Sequence, residues 1–295
     1  MDETGERCRA AAGWRIAAAA GLAIAFAAPT ARAADRWEGF GEVRLGLMHF
    51  DYAEREAGVF LDGEKGWVPS LTGELELRRE RFFGRVMLRV AKGTVDYNGQ
   101  TQSGIPLTTQ SGATFLQGVV QIGGFVDPAR RLALFGGLGA RRWTRDIQDG
   151  IFFDSTGQPQ VASGYTEVYG WGELQAGLRW AFLQGPGRSW DVDARLVQTF
   201  NAGISIDLAK FGLQPGNPSL DLGSETGWRV GSTFRHELDR SRLTLVAAVW
   251  AEGYAFGRSA DIQVYDPSTG TTGLLHEPDS KTTNFGLELG LGGKF

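Results

Sequence analysis

The last twelve residues, Asn284-Phe285-Gly286-Leu287-Glu288-Leu289-Gly290-Leu291-Gly292-Gly293-Lys294-Phe295, alternate between apolar and polar or small side chains. Successive side chains of a β-strand point to opposite faces, so Phe285, Leu287, Leu289, Leu291 and Phe295 share one face and Asn284, Glu288 and Lys294 the other. Such a strand needs an apolar medium on one side and a polar one on the other. An edge strand of a water-soluble sheet seldom ends this way.

The opposite end carries an export pattern. Arg7, Arg9 and Arg15 form a basic region, Ile16 to Ala28 an apolar run, and Ala31-Arg32-Ala33 a small-x-small cleavage signature. We therefore expect residues 1–33 to be a cleaved secretory signal and Ala34 to begin the mature protein, residues 34–295 forming one domain. The run falls short of the roughly 20 apolar residues a spanning helix requires, and nothing downstream approaches that length. Cys8, the only cysteine, precedes the run, so the mature chain offers no disulfide, thiolate nucleophile or thiolate metal site.

Hydrophobic residues make up 42% of the chain, yet mean hydropathy is −0.19, a combination that alternation accounts for. Forty-three glycines, several inside alternating segments, suit strands that coil and pack closely. A net charge of −4 and a pI near 5.5 supply no basic footprint for nucleic acid, which is excluded as a partner.

Period-two patterning with turn punctuation predicts ten strands, at about 39–52, 67–80, 82–97, 113–126, 131–147, 166–183, 189–208, 227–238, 243–257 and 281–295. Short connections alternate with long polar ones at 53–66, 98–112, 148–165, 209–226 and 258–280. On the fourth segment Leu116, Val120, Ile122 and Val126 face away from Gln117 and Gln121. On the sixth, Val168, Leu174, Ala176, Leu178 and Trp180 oppose Glu167, Glu173, Gln175 and Arg179. On the seventh, Trp190, Val192, Ala194, Leu196, Ile204 and Ile206 oppose Asp191, Asp193, Arg195 and Thr199. A slip of one residue would expose every charge to the apolar side, so register is strongly specified.

The terminal alternation ending on Phe295, the export signal and the short-long order of connections resemble those of small bacterial outer-membrane β-barrels. Gly293 departs from that class, which often has a larger apolar residue there. The resemblance covers the mature chain and implies an all-β, closed, antiparallel up-and-down barrel of about ten strands, with eight or twelve as alternatives. It also implies insertion among outer-membrane lipid and lipopolysaccharide after handling by periplasmic chaperones and the barrel-assembly machinery. Turns would face the periplasm and loops the outside. A monomer is expected, and Trp67, Trp180, Phe182, Trp190 and Trp228 near strand ends would form aromatic girdles.

Inward parity collects both charge signs. Acidic Glu42, Glu74, Glu76, Glu167, Glu173, Asp191, Asp193, Glu237, Glu252 and Glu288 meet basic Arg44, Arg78, Arg85, Arg89, Arg141, Arg179, Arg195, Arg229, Arg235 and Lys294. A barrel of eight to ten strands is narrow enough for side chains to fill. Balanced charge therefore points to a plugging network, whereas an excess of one sign would have suggested a selective pore. Function is then expected on the loops, with Asn98–Gly104 and Ile151-Phe152-Phe153 as candidate contact segments.

The expected strand number also resembles that of omptin proteases, which use Asp pairs and a His–Asp pair at the outer rim. His49 and Asp51, two apart and on one face, are the best catalytic candidates, but Val43, Leu45 and Leu47 share their parity and place them on the apolar side. His236 shares a face with Trp228, Val230 and Phe234, and His276 lies beside Glu277 and Asp279 without metal-ligand spacing. The reading is of a non-enzymatic envelope protein without metal or cofactor. A small porin-like channel and an outer-membrane hydrolase acting on peptides or lipid A are the alternatives.

Overall fold

The computed structural model describes residues 37–101, 104–238 and 243–295. The expected signal and its cleavage site, Gln102-Ser103 of the polar segment, and the Asp239-Arg240-Ser241-Arg242 turn lie outside the described residues.

Ten long strands form in chain order: Glu38–Glu56, Val59–Arg79, Phe82–Gln100, Pro106–Phe125, Leu132–Ile147, Thr166–Gly185, Arg188–Ile206, Thr226–Glu237, Leu243–Gly257 and Asp279–Lys294, numbered first to tenth below. Each pairs antiparallel with the next. The tenth pairs with the first from Phe40 opposite Lys294 to Arg55 opposite Asp279, closing the expected up-and-down barrel. The Gly39 and Phe295 backbones exchange N–H···O bonds of 3.2 and 3.0 Å at the seam. A Cβ on Gly39 would lie 2.3 Å from the Phe295 ring, so only glycine lets the terminal aromatic lie across the first strand.

The turn end of the barrel carries the connections around Glu80-Arg81, residues 126–131 and Pro186-Gly187, and the ends of the eighth and ninth strands at Glu237 and Leu243. The loop end differs from expectation. Residues 53–66 are not a loop: the first strand runs to Glu56, turns through Ala57-Gly58 and returns from Val59. Both turn residues are left-handed (φ 50° and 84°), which matches the twist of a two-residue hairpin. Trp67 consequently sits well inside the second strand. Residues 148–165 carry a small hairpin, Gly150–Phe153 with Pro159–Ala162, and residues 258–278 another, Ile262–Asp266 with Thr271–Leu275. In the first of these Ile151 and Phe153 are exposed, while Phe152 packs toward Tyr97, Leu107 and Ile147.

A second correction concerns the seventh strand. Gly170 pairs with Gly203 and Gly172 with Phe200, so Asn201 and Ala202 together oppose Trp171. This bulge, with Asn201 at φ 48°, inserts one residue and reverses parity beyond it. Ile204 and Ile206, expected on the outer face, are therefore buried inside, with Leu220 of the short strand Ser219–Asp221. Leu196, before the bulge, faces out as expected, and Phe200 is exposed beside it.

The outward surface changes character along each strand. On the third, Val86, Leu88 and Val90 give way to Lys92, Thr94, Asp96 and Asn98; on the tenth, Leu291, Leu289, Leu287 and Phe285 give way to Thr283, Lys281 and Asp279. Crossing a bilayer takes about 9–11 residues. Strands of 19 to 21 residues, as in the first three, extend their polar half well beyond such a belt.

Candidate functional site

The interior is stacked in three layers, readable along two strands. The first strand turns inward Glu42 and Arg44, then Met48, Phe50 and Tyr52, then Glu54. The fifth turns inward Arg141, Trp143 and Arg145.

The layer toward the turn end is ionic. Glu288, from the deciding terminal strand, accepts from Arg44 (2.7 Å), Arg89 (2.9 Å), the Thr72 hydroxyl (3.1 Å) and the Trp250 indole (2.9 Å). Arg89 and Arg229 lie over the Trp250 ring at 4.1 and 4.2 Å, so one indole attracts two cations through its π-face while donating to the anion beside them. Glu252 holds Arg141 bidentately (2.6 and 2.8 Å) and also accepts from Arg229 at 2.7 Å. Arg141 further reaches Glu173 at 2.5 Å.

Glu76 gathers Arg85 (2.9 Å), Arg179 (2.5 Å) and Arg78, and Arg85 also meets Glu74. Arg235 joins Glu42 (2.9 Å) to Asp191 (3.0 Å), Arg195 pairs with Asp193 (2.5 Å), and Arg44 contacts Glu42. Every residue of the inward charge set named from the sequence thus has an ionic partner. Shared, forked contacts of this kind suit arginine, whose planar group meets carboxylates with two parallel N–H donors and keeps its proton. The cavity within this layer, lined by Arg44, Glu74, Arg85, Arg179, Asp193 and Arg229 among others, has a volume of about 40 Å³, space for a few waters.

The middle layer is aromatic. Trp143 stacks on Tyr169 (4.6 Å between centroids) and on Phe115 (5.8 Å), and meets Phe50 edge-on at 5.2 Å. Trp171, Tyr254, Phe256 and the inverted Ile204 and Ile206 complete it.

The third layer, toward the loop end, was missed in the sequence apart from Glu167. Fully buried Arg145 donates to Glu64 (2.7 Å) and to Glu54, Asp62 and Glu167 (2.8 Å each). Four carboxylates thus surround one guanidinium. A fifth, Glu277, reaches the group through hydroxyls: Tyr169 Oη contacts Glu277 at 2.6 Å, Tyr52 Oη lies 3.0 Å from Tyr169 Oη, and Tyr52 Oη contacts Glu54 at 2.6 Å. Tyr97 Oη donates to Asp62 at 3.3 Å. Glu277 belongs to no strand; burial, aided by the neighbouring Glu167 charge, pushes its carboxyl up to about 8.

The catalytic candidates lie elsewhere. His49 packs edge-on against outward-facing Trp67 (5.1 Å), which meets Phe285 at 6.5 Å; Asp51 pairs across the surface with Lys65 at 3.0 Å. No hydrogen bond joins His49 to Asp51 among the described residues, and neither enters the lumen. His276 sits between Glu56 and Asp261, each 3.2 Å from one ring nitrogen, with Arg258 bridging the same two carboxylates. His236 lies outside, beside Arg188. Among the described residues no group of three or more His, Cys, Asp or Glu side chains is arranged to hold a metal ion.

Outward aromatics mark two levels. Trp180, Phe182, Trp190 and Phe234 form a contiguous cluster at the turn end, at centroid spacings of 5.8, 4.6 and 6.2 Å. Trp67, Phe285 and Trp228 are exposed on the other side of the apolar belt.

Among solved structures, the outer membrane protease OmpT from Escherichia coli matches with a TM-score of 0.62 and 11% identity, covering 90% of this chain and 99% of that one. The chain has the outer-membrane β-barrel fold. The translocator domain of the autotransporter NalP from Neisseria meningitidis (TM-score 0.42, 14% identity, 87% and 88% covered) and OprG from Pseudomonas aeruginosa (0.35, 13%, 88% and 97%) are more distant matches. No protein-family model matches the sequence, and no curated protein does. At these identities the similarity is one of fold alone.

Proposed function

We propose that this is an integral protein of the bacterial outer membrane whose lumen is sealed by its own side chains, and which acts through its outer rim and loops without conducting solutes or catalysing a reaction. The observation that carries this reading is the three-layer filling: ion pairs, stacked aromatics and the Arg145 cluster follow one another along the axis, with about 40 Å³ left within the ionic layer. Continuous passage of ions needs a wetted path bordered by groups that bind and release them. Here arginines and carboxylates are already bound to one another.

Proteolysis, the activity in the OmpT name, is not part of the reading. His49 and Asp51 stand on the outer wall, and both ring nitrogens of His276 are engaged by carboxylates, leaving no free lone pair directed at a substrate. The purified protein in planar lipid bilayers is expected to give no discrete conductance steps. Reproducible, ion-selective steps would replace this reading with that of a small channel.

The lipid partner fits the outward surface. Lys92 and Arg142 are the first charged outward residues past the apolar belt on the third and fifth strands, flanking the fourth at Thr114 and Leu116. Neither makes an ion pair among the described residues, so both are open to phosphorylated headgroups, as in lipopolysaccharide. Replacing both with Ala should weaken retention of lipopolysaccharide by about 1 kcal/mol per cation. Lipopolysaccharide co-purified per barrel is the measure, and an unchanged ratio would remove these residues from the contact.

A further inference from the structure

The loop-end cluster contains more contacts than hydrogens. The series Glu277, Tyr169, Tyr52, Glu54 has three oxygen–oxygen contacts of 2.6, 3.0 and 2.6 Å. Each tyrosine supplies one hydrogen and an ionised carboxylate none. Three hydrogen bonds require three protons, so two tyrosines leave one contact unfilled unless a terminal carboxyl is protonated. Glu54 Oε1 also accepts from Arg145 at 2.8 Å, a cation that opposes the upward push of burial on its carboxyl, whereas Glu277 has no ion-pair partner among the described residues and is the end of the series left to carry the proton.

A second, independent feature points the same way: Glu64, 1% exposed, uses Oε1 on Arg145 while its Oε2 is buried without any partner. The cluster therefore holds more carboxylate than its single cation and hydroxyl donors satisfy.

We infer that Glu277 is a proton-binding site, held as a neutral acid that donates to Tyr169, which donates to Tyr52, which donates to Glu54, and that this proton latches the 258–278 loop onto the barrel's loop end. Releasing it leaves a buried anion facing like charges. From the first strand come Tyr52 and Glu54, from the second Asp62 and Glu64, from the third Tyr97, from the sixth Glu167 and Tyr169. The fifth contributes Arg145, the one cation, already shared four ways.

The base of the loop is closed at this residue, whose backbone exchanges hydrogen bonds with Ser259 of the same loop (Ser259 N–H to Glu277 O, 3.0 Å; Glu277 N–H to Ser259 Oγ, 2.9 Å), while the Tyr265–Gln214 bridge and the contacts of Arg258 and His276 with Glu56 hold it farther out. Because the folded carboxyl keeps its proton to about 8, above its ordinary range, the stabilisation is complete in acid and is lost as pH rises through about 8. Between the ordinary carboxylate range and about 8 each pH unit should raise the loop-opening constant about tenfold, with no further rise above about 8.

The test uses the full-length protein reconstituted in liposomes. Infrared difference spectra between pH 6 and 10 should show a protonated-carboxyl carbonyl band that disappears with a midpoint near 8, together with loss of amide-exchange protection confined to residues 258–278 after correction for intrinsic exchange. Glu277→Gln should lack the titrating band and keep the loop protected at high pH. Should that variant fail to fold, Tyr169→Phe, which removes the hydroxyl that turns to donate to the Glu277 carboxylate once the proton has left, should move the midpoint above the wild-type value. A wild-type spectrum without a titrating band, a band that persists in Glu277→Gln, or protection unchanged to pH 10 would each overturn the assignment.

Discussion

Arg145→Met is expected to lower stability by about 3–5 kcal/mol, the usual consequence of removing one partner from a buried ionic group. The methionine fills much of the same space, so the loss is chiefly electrostatic: Glu54, Asp62, Glu64 and Glu167 would remain buried without their common cation. Neutralising them with protons relieves that repulsion, so the variant should regain stability as pH falls through the carboxylate range. Arg145→Lys should lie between the two, because an ammonium keeps the charge but cannot reproduce a fork serving four carboxylates through three nitrogens. Unfolding of detergent-solubilised protein, followed by tryptophan emission, measures this. A variant as stable as wild type at pH 7 would mean that the carboxylates carry their own protons and that Arg145 is incidental.

Leu289→Arg should prove the most costly change on the outer wall. Leu289 is exposed on the apolar belt between Leu45 of the first strand and Ala247 of the ninth, so a guanidinium there would enter hydrocarbon. A cost of about 2–4 kcal/mol is expected near the bilayer midplane, declining to about 0–1 at the interface. Thr283→Arg, on the same face past Phe285, should accordingly be tolerated. Folding free energies into bilayers for the two variants should therefore differ by about 2 kcal/mol or more. Equal costs would contradict the position assigned to the belt.

What the sequence disclosed and what it concealed have separate physical origins. Alternation is local, so the ten strands, their lipid-side residues and the inward charges of the turn-end layer could be read from parity alone. Partners such as Arg141 and Glu252 belong to strands far apart in sequence, and parity says only that both face in. The Arg145 cluster was concealed by a polar composition. Residues 53–66 resemble a loop, yet Glu54 keeps the inward parity of Glu42 along the first strand, and Asp62 and Glu64 that of Glu74 along the second, a register shift beside Glu54 and Arg55 absorbing the odd residue before the turn. Continuing each strand's own alternation into that stretch would have revealed it. The bulge at Asn201 left no comparable mark: one inserted residue reversed Ile204 and Ile206 without altering the composition around them.

Single cysteines can be placed freely among residues 37–295, which contain none, and spin labels on them measure collision with oxygen, which partitions into lipid, and with a water-soluble nickel chelate. In bilayers, labels at Phe285, Leu287, Leu289 and Leu291 should collide readily with oxygen, whereas labels at the inward positions Thr244, Thr282 and Asn284 should be shielded from both. Strong nickel contact at the inward positions would show an open, wetted lumen. Absence of a two-residue period along the tenth strand would contradict the barrel's lipid-facing wall itself.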